Sequence, residues 1–185
     1  MPLRHEKDEP MMIHMNQGDP VDPFEILDQR ELRASLLEDL AKRFPKDTLV
    51  CFKLNIPGPI KNNDLIAQVF DDGVERIKQV LPNPTICSVT VDKTGPELIL
   101  HIAEDSRLVK EKMIKLEESS PVARLYDIDV LYKGIQVSRE ALGRPQRPCF
   151  LCNNPAKACA RSGAHQVNDL LEAIEQMILA DLRFD

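Results

Sequence analysis

Asp127 and Asp129 stand two residues apart in ARLYDIDVLY, residues 123–132, a run that otherwise reads as a β-strand. Side chains alternate along a strand, so the two carboxylates share one face while Ile128, Val130 and Tyr132 line the other. Asp is depleted in strands, so a same-face pair calls for some compensation. Two carboxylates projecting together suit a hard cation such as Mg²⁺, which prefers oxygen ligands and commonly holds substrate phosphates. A pair of solvated acids at a strand mouth is the alternative, and the pattern alone leaves it open.

A second constellation lies in RPCFLCNNPAKACARSGAH, where Cys149, Cys152, Cys159 and His165 form a C-x2-C-x6-C-x5-H array. Three sulfurs and one imidazole suit tetrahedral Zn²⁺, and four protein ligands leave no open position, so such a metal is structural. It would pin a Pro- and Asn-containing loop against the helix that follows. A redox C-x-x-C, or buried thiols beside a capping histidine, compete with this reading. The chain has five cysteines, an odd number with three of them between Cys149 and Cys159, which in a reducing compartment argues against a disulfide framework.

Other chemistry-bearing residues carry less. His101, inside LILHIA, reads as a satisfied core histidine. Ser138 and Ser162 have nothing like a triad around them. Glu97, in a hairpin, reads as facing water, with a third-carboxylate role as the alternative.

The formal net charge of −6 over 185 residues disfavours a nucleic-acid coat, which needs a concentrated positive field. From Lys133 to Gln166, however, six basic residues face the single acid Glu140, a local surplus of +5 that leaves −11 elsewhere. A basic segment next to an acidic pair is what a metal-plus-polyphosphate site requires, although a solvated loop has the same composition. Apolar runs are too short to span a membrane and the N-terminus lacks a secretory centre, so a cytoplasmic protein without a membrane partner is expected.

The elements that must position these groups follow from periodicity. Residues 1–22 are polar and aperiodic and read as a flexible N-terminal arm, leaving 23–185 as a single domain. Leu32, Leu36, Leu37, Leu40 and Phe44 predict a helix over Pro23–Arg43. TLVCFKLNI is a strand, PGPIKNN a stiff turn with Asn62 or Asn63 as cap, and Ile66 to Val80 a helix. TICSVTVDKTGPELILHIA predicts a hairpin, followed by a helix from about Ser106 to Glu118 and the aspartate strand with its return through GIQVS. The order β-α-β-β-α-β predicts an α+β fold, a ferredoxin-like split βαβ sheet with an extra strand. The Cys/His-rich loop 143–166 and a C-terminal helix over 167–183, striped by Val167, Leu170, Leu171, Ile174, Met177, Ile178 and Leu182, complete it.

RLYDIDVLY, the cysteine loop and NIPGPIK (residues 55–61) together resemble the holo-citrate lyase synthases, the apo-citrate lyase phosphoribosyl-dephospho-CoA transferase family. The resemblance runs from DQRELR to the C-terminal helix. It departs at Ala123, where glycine is typical, and at Gly163, where a basic residue is frequent. It implies a nucleotidyltransferase that takes triphosphoribosyl-dephospho-CoA, joins its phosphoribosyl-dephospho-CoA part to a serine of the acyl carrier (gamma) subunit of citrate lyase, and releases pyrophosphate. In that frame Asp127 and Asp129 hold Mg²⁺, Arg124 contacts a phosphate oxygen, Arg144 and Arg147 clamp the triphosphate, and Asn55 and Lys61 are further contacts. A weaker resemblance links the strand order and the aspartate pair to the pterin pyrophosphokinases. A small-molecule pyrophosphokinase or nucleotidyltransferase, and a non-catalytic zinc-stabilised adaptor of a carrier complex, are the alternatives.

Overall fold

A computed structural model describes residues 14–181. The chain runs α1 (Pro23–Arg43), β1 (Thr48–Leu54), α2 (Asp64–Val80), β2 (Thr85–Asp92), β3 (Gly95–Ile102), α3 (Ser106–Glu117), β4 (Tyr126–Tyr132), β5 (Ile135–Gln136), α4 (Ala156–Ser162) and α5 (Val167–Leu179). All strand pairs are antiparallel and the order is β2-β3-β1-β4-β5. That is the expected split βαβ sheet with β5 added beyond β4.

Local chemistry fixes where the helices start. Asp22 and Glu25 form a capping box at α1, with Pro23 in the first turn, where a missing N–H costs nothing. Asn63 accepts from the Ile66 amide at 2.9 Å, which makes it the cap of α2. Asp105 does the same for α3.

Alternation then sorts the strand residues. Val50, Phe52, Leu98, Leu100, Ile128 and Val130 pack beneath α2, α3 and α5 in the main core. Helix α2 can approach because residue 73 is glycine: a Cβ there would fall 2.4 Å from Cζ of Phe52. Leu49, Cys51 and Ile99 face the other way, covered by Leu40 of α1. Lys53, Asp127 and Asp129 share this second face, because they continue the odd-numbered series.

Three expectations need correction. The chain enters β4 through a 3₁₀ turn over Val122–Leu125, so the strand starts at Tyr126 rather than at 123. Leu32 is 66% exposed, so α1 buries a narrower stripe than its leucines suggest, centred on Leu37, Leu40 and Phe44. Of the arm, residues 14–22 pack down: Met15 is fully buried and its amide donates to Glu175 of α5 at 3.0 Å. Residues 1–13, and Leu182 of the expected C-terminal stripe, lie outside the described residues.

Candidate active site and metal centre

The carboxylates of Asp127 and Asp129 project together from β4, each about a third exposed. Between them stands a residue that the sequence reading passed over. Lys53 Nζ lies 2.7 Å from Asp127 and 2.9 Å from Asp129. Residue 53 pairs with 127 across the β1–β4 register, so the sheet itself delivers the lysine. Burial pushes the Asp127 carboxyl up, but Lys53 outweighs it, with Arg147 and Lys110 adding to the effect, and holds it below its ordinary value. The same two carboxylates push Lys53 above the usual lysine range despite its desolvation. Gln136 of β5 donates to Asp129 Oδ1 at 2.6 Å and fixes its rotamer.

The outer edge of β4 is paired with β5 only at Leu131 and Tyr132. Unpaired buried backbone groups are costly; the Val137 amide donates to the Val130 carbonyl at 2.8 Å, and side chains satisfy the groups nearer the start of the strand. Arg147 donates to the Tyr126 carbonyl at 2.7 Å, Lys110 to the Ile128 carbonyl at 2.8 Å, and the Ile128 amide donates to Glu117 Oε1 at 3.1 Å. Glu117, 3% exposed, also pairs with Arg147 and, at 2.9 Å, with Arg139. Lys110 and Glu117 sit two turns apart on α3, which therefore acts as a side-chain edge strand.

A groove opens along this edge. Its aspartate end encloses about 380 Å³ and its far end about 500 Å³, and the two share Asn55, Glu117, Arg139, Arg147 and Ala156. The far end is apolar, walled by Pro121, Pro148 and Phe150, with the Arg124 guanidinium 5.1 Å from the Phe150 ring centre. Arg124 also donates to the Cys149 carbonyl at 2.9 Å. Arg124, Arg147 and Asn55 thus meet the aspartates in one groove. Arg144 is exposed and lines neither end, and Lys61 opens onto a smaller cavity beside Lys53.

The cysteine loop closes as the spacing suggests. A short hairpin, with the Cys149 amide donating to the Asn154 carbonyl at 2.8 Å, presents Cys149 and Cys152. Helix α4 presents Cys159, and Gly163, in the left-handed region at φ 59°, turns the chain to bring in His165. Cys152 Sγ lies 3.5 Å from Cys159 Sγ and 3.4 Å from His165 Nε2, and all four donor atoms fall within 4.8 Å of one another. Zn–S bonds of about 2.3 Å in a tetrahedron place sulfurs roughly 3.8 Å apart, so the donor set fits a closed zinc site. Ala156 and Lys157 of α4 line the groove, so this centre shapes one of its walls.

The remaining candidates are structural. His101 Nδ1 meets Asp47 at 2.7 Å and its ring stacks on Phe44, as a satisfied histidine should. Ser162 is bonded back to the Ala158 carbonyl at 2.9 Å, and Ser138 accepts from the Ala141 amide at 3.1 Å. Glu97 does not face water. It is 6% exposed and paired with Arg33 of α1, because α1 crosses that face of the hairpin.

The fold is α+β, with a carboxylate pair at one end of a polar-to-apolar groove. The family model described as apo-citrate lyase phosphoribosyl-dephospho-CoA transferase matches residues 22–181. A probable apo-citrate lyase phosphoribosyl-dephospho-CoA transferase of Streptococcus pyogenes serotype M18 is 35% identical over 167 residues, covering 87% of each chain. One of the same description from Vibrio cholerae serotype O1 is 35% identical over 159 residues, 83% of this chain and 89% of that one. The chain belongs to this family of transferases.

Proposed function

We propose that this chain transfers the phosphoribosyl-dephospho-CoA group from triphosphoribosyl-dephospho-CoA to a serine of the acyl carrier (gamma) subunit of apo-citrate lyase. The serine oxygen forms a bond to the innermost phosphorus, the bond from that phosphorus to the bridging oxygen breaks, pyrophosphate leaves and the hydroxyl proton is released. The observation that carries the reading is the pairing of Asp127 and Asp129 on one face of β4, at the end of a groove whose two parts enclose about 380 and 500 Å³. A cytoplasmic setting suits the reduced thiols that a Cys₃His centre needs.

The pair fits a hard divalent cation, since both donors are carboxylates and a cation, the Lys53 ammonium, already bridges them. Mg²⁺ bound by Asp127 and Asp129 would neutralise phosphate charge at the reacting centre. The chain's own groups do the positioning. Arg124 and the Phe150 wall hold the base and apolar arm of the donor, and Asn55 and Arg147 reach the middle of the groove. The Cys₃His centre, carrying structural zinc, holds that wall in place.

The test is release of pyrophosphate in mixtures from which donor, apo-citrate lyase or Mg²⁺ is withheld in turn. Release is expected only when all three are present. Release without apo-citrate lyase would point to a hydrolase or a small-molecule nucleotidyltransferase.

A further inference from the structure

On the far side of Lys53 from Asp129 the second sheet face carries a small cavity of about 50 Å³. Lys53, Lys61 of NIPGPIK and Arg33 of α1 all line it, together with Thr94 and Glu97. Glu97 pairs with Arg33 and Lys53 is held by the aspartates, but no carboxylate pairs with Lys61 among the described residues. Lys61 Nζ donates to the Ile56 carbonyl at 2.5 Å. Burial, and secondarily the nearby charge of Arg30, holds its pKa below the ordinary lysine value. Thr94 Oγ1 is buried in the same lining without a hydrogen-bond partner. An ammonium withdrawn from water without a counter-ion, beside an unsatisfied hydroxyl, is costly unless something fills the space between them.

We propose that this cavity is an anion subsite that holds the pyrophosphate end of a polyphosphate, with Arg33, Lys53, Lys61 and the Thr94 hydroxyl as its donors. The assignment rests on the transfer reading above and extends it: in the groove Arg139 and Arg147 are engaged by Glu117 and Arg124 by the Cys149 carbonyl, whereas in the cavity Arg33 and Lys53 are paired but Lys61 has no carboxylate partner among the described residues. The cavity is far smaller than a nucleotide site, so it excludes the base. Lys53 is shared between the two sites. Were Asp127 and Asp129 to hold a cation, the Lys53 ammonium would be free to turn toward the anion, so metal and anion would bind cooperatively.

Calorimetric titration of the full chain with inorganic pyrophosphate, with and without Mg²⁺, tests this directly. Lys61→Met should weaken pyrophosphate binding at least ten-fold and Thr94→Val several-fold. Lys78→Met, on the exposed face of α2, should leave it unchanged. Binding of 3′-dephospho-CoA, which lacks the triphosphate, should be equal in all four proteins, and circular dichroism verifies that each folds. Equal pyrophosphate affinity in the wild type, Lys61→Met and Thr94→Val, or no binding to the wild type, overturns the subsite. Lys61-dependent pyrophosphate binding in a protein that modifies no apo-citrate lyase would instead uphold the anion subsite and sink the transfer reading.

Discussion

Asp127 and Asp129 are held apart from mutual repulsion by one ammonium, and their chemistry depends on that arrangement. Replacing either by asparagine keeps the shape and removes a charge, so both variants should fold while single-turnover transfer at saturating Mg²⁺ falls by about 10²-fold or more. Rates close to wild type in both would take the pair out of the mechanism. Lys53→Met leaves two neighbouring carboxylates without their cation, and the Asp127 carboxyl should then rise above its ordinary value. In the wild type its depressed pKa contributes stability that is fully present above the unfolded carboxylate value and is lost as pH falls through the lower folded one. The variant should lose that contribution at neutral pH and show a flatter acid limb, which side-chain carbonyl NMR and acid unfolding would report. The aspartates were legible from sequence because strand alternation is local. Lys53 was not, since its partner lies 76 residues away and only the β1–β4 register brings them together.

At the scale of elements, α3 completes the edge of β4 with side chains, and Glu117 is the hub of that contact. Glu117→Gln removes the anion that two arginines share in a buried place, so a loss on the order of 3 kcal/mol is expected by urea unfolding. A change within 0.5 kcal/mol, roughly the scatter of surface substitutions, would deny the hub its role. The cysteine loop is the other positioning element. Protein purified without chelator should hold one zinc through Cys149, Cys152, Cys159 and His165. Stripping it should raise hydrogen exchange across 147–165 while the amides of β1 and β3 stay protected; exchange identical with and without metal would make the cluster ordinary thiols. The array was readable because its ligands are close in sequence. The narrow buried stripe of α1 was not, because its leucines recur at helical spacing on both faces, and only the sheet's position decides which face is covered.

The whole molecule is an acidic chain in which five basic residues line one groove and three line one small cavity. The split βαβ order was legible because helix and strand periods alternate cleanly along the chain, and the sheet order follows from that topology. The destination of each basic residue was not, since composition gives a local surplus of charge but not its partners. Arg147 and Arg139 pair with Glu117, whereas Lys61, from a stretch that reads mainly as a connector, keeps an ammonium with no carboxylate partner among the described residues. No helix among the described residues is long and apolar enough to cross a membrane. On the proposed function, this groove hands a phosphoribosyl-dephospho-CoA group to apo-citrate lyase with Asp127 and Asp129 at the reacting end. Intact mass spectrometry of the acyl carrier subunit, after incubation with triphosphoribosyl-dephospho-CoA, Mg²⁺ and either the wild type or Asp129→Asn, tests it most directly. The wild type should add the mass of one phosphoribosyl-dephospho-CoA group to the subunit, and the variant should leave nearly all of it unmodified over the same interval. An unmodified subunit with the wild type, or equal modification by both proteins, would contradict the account.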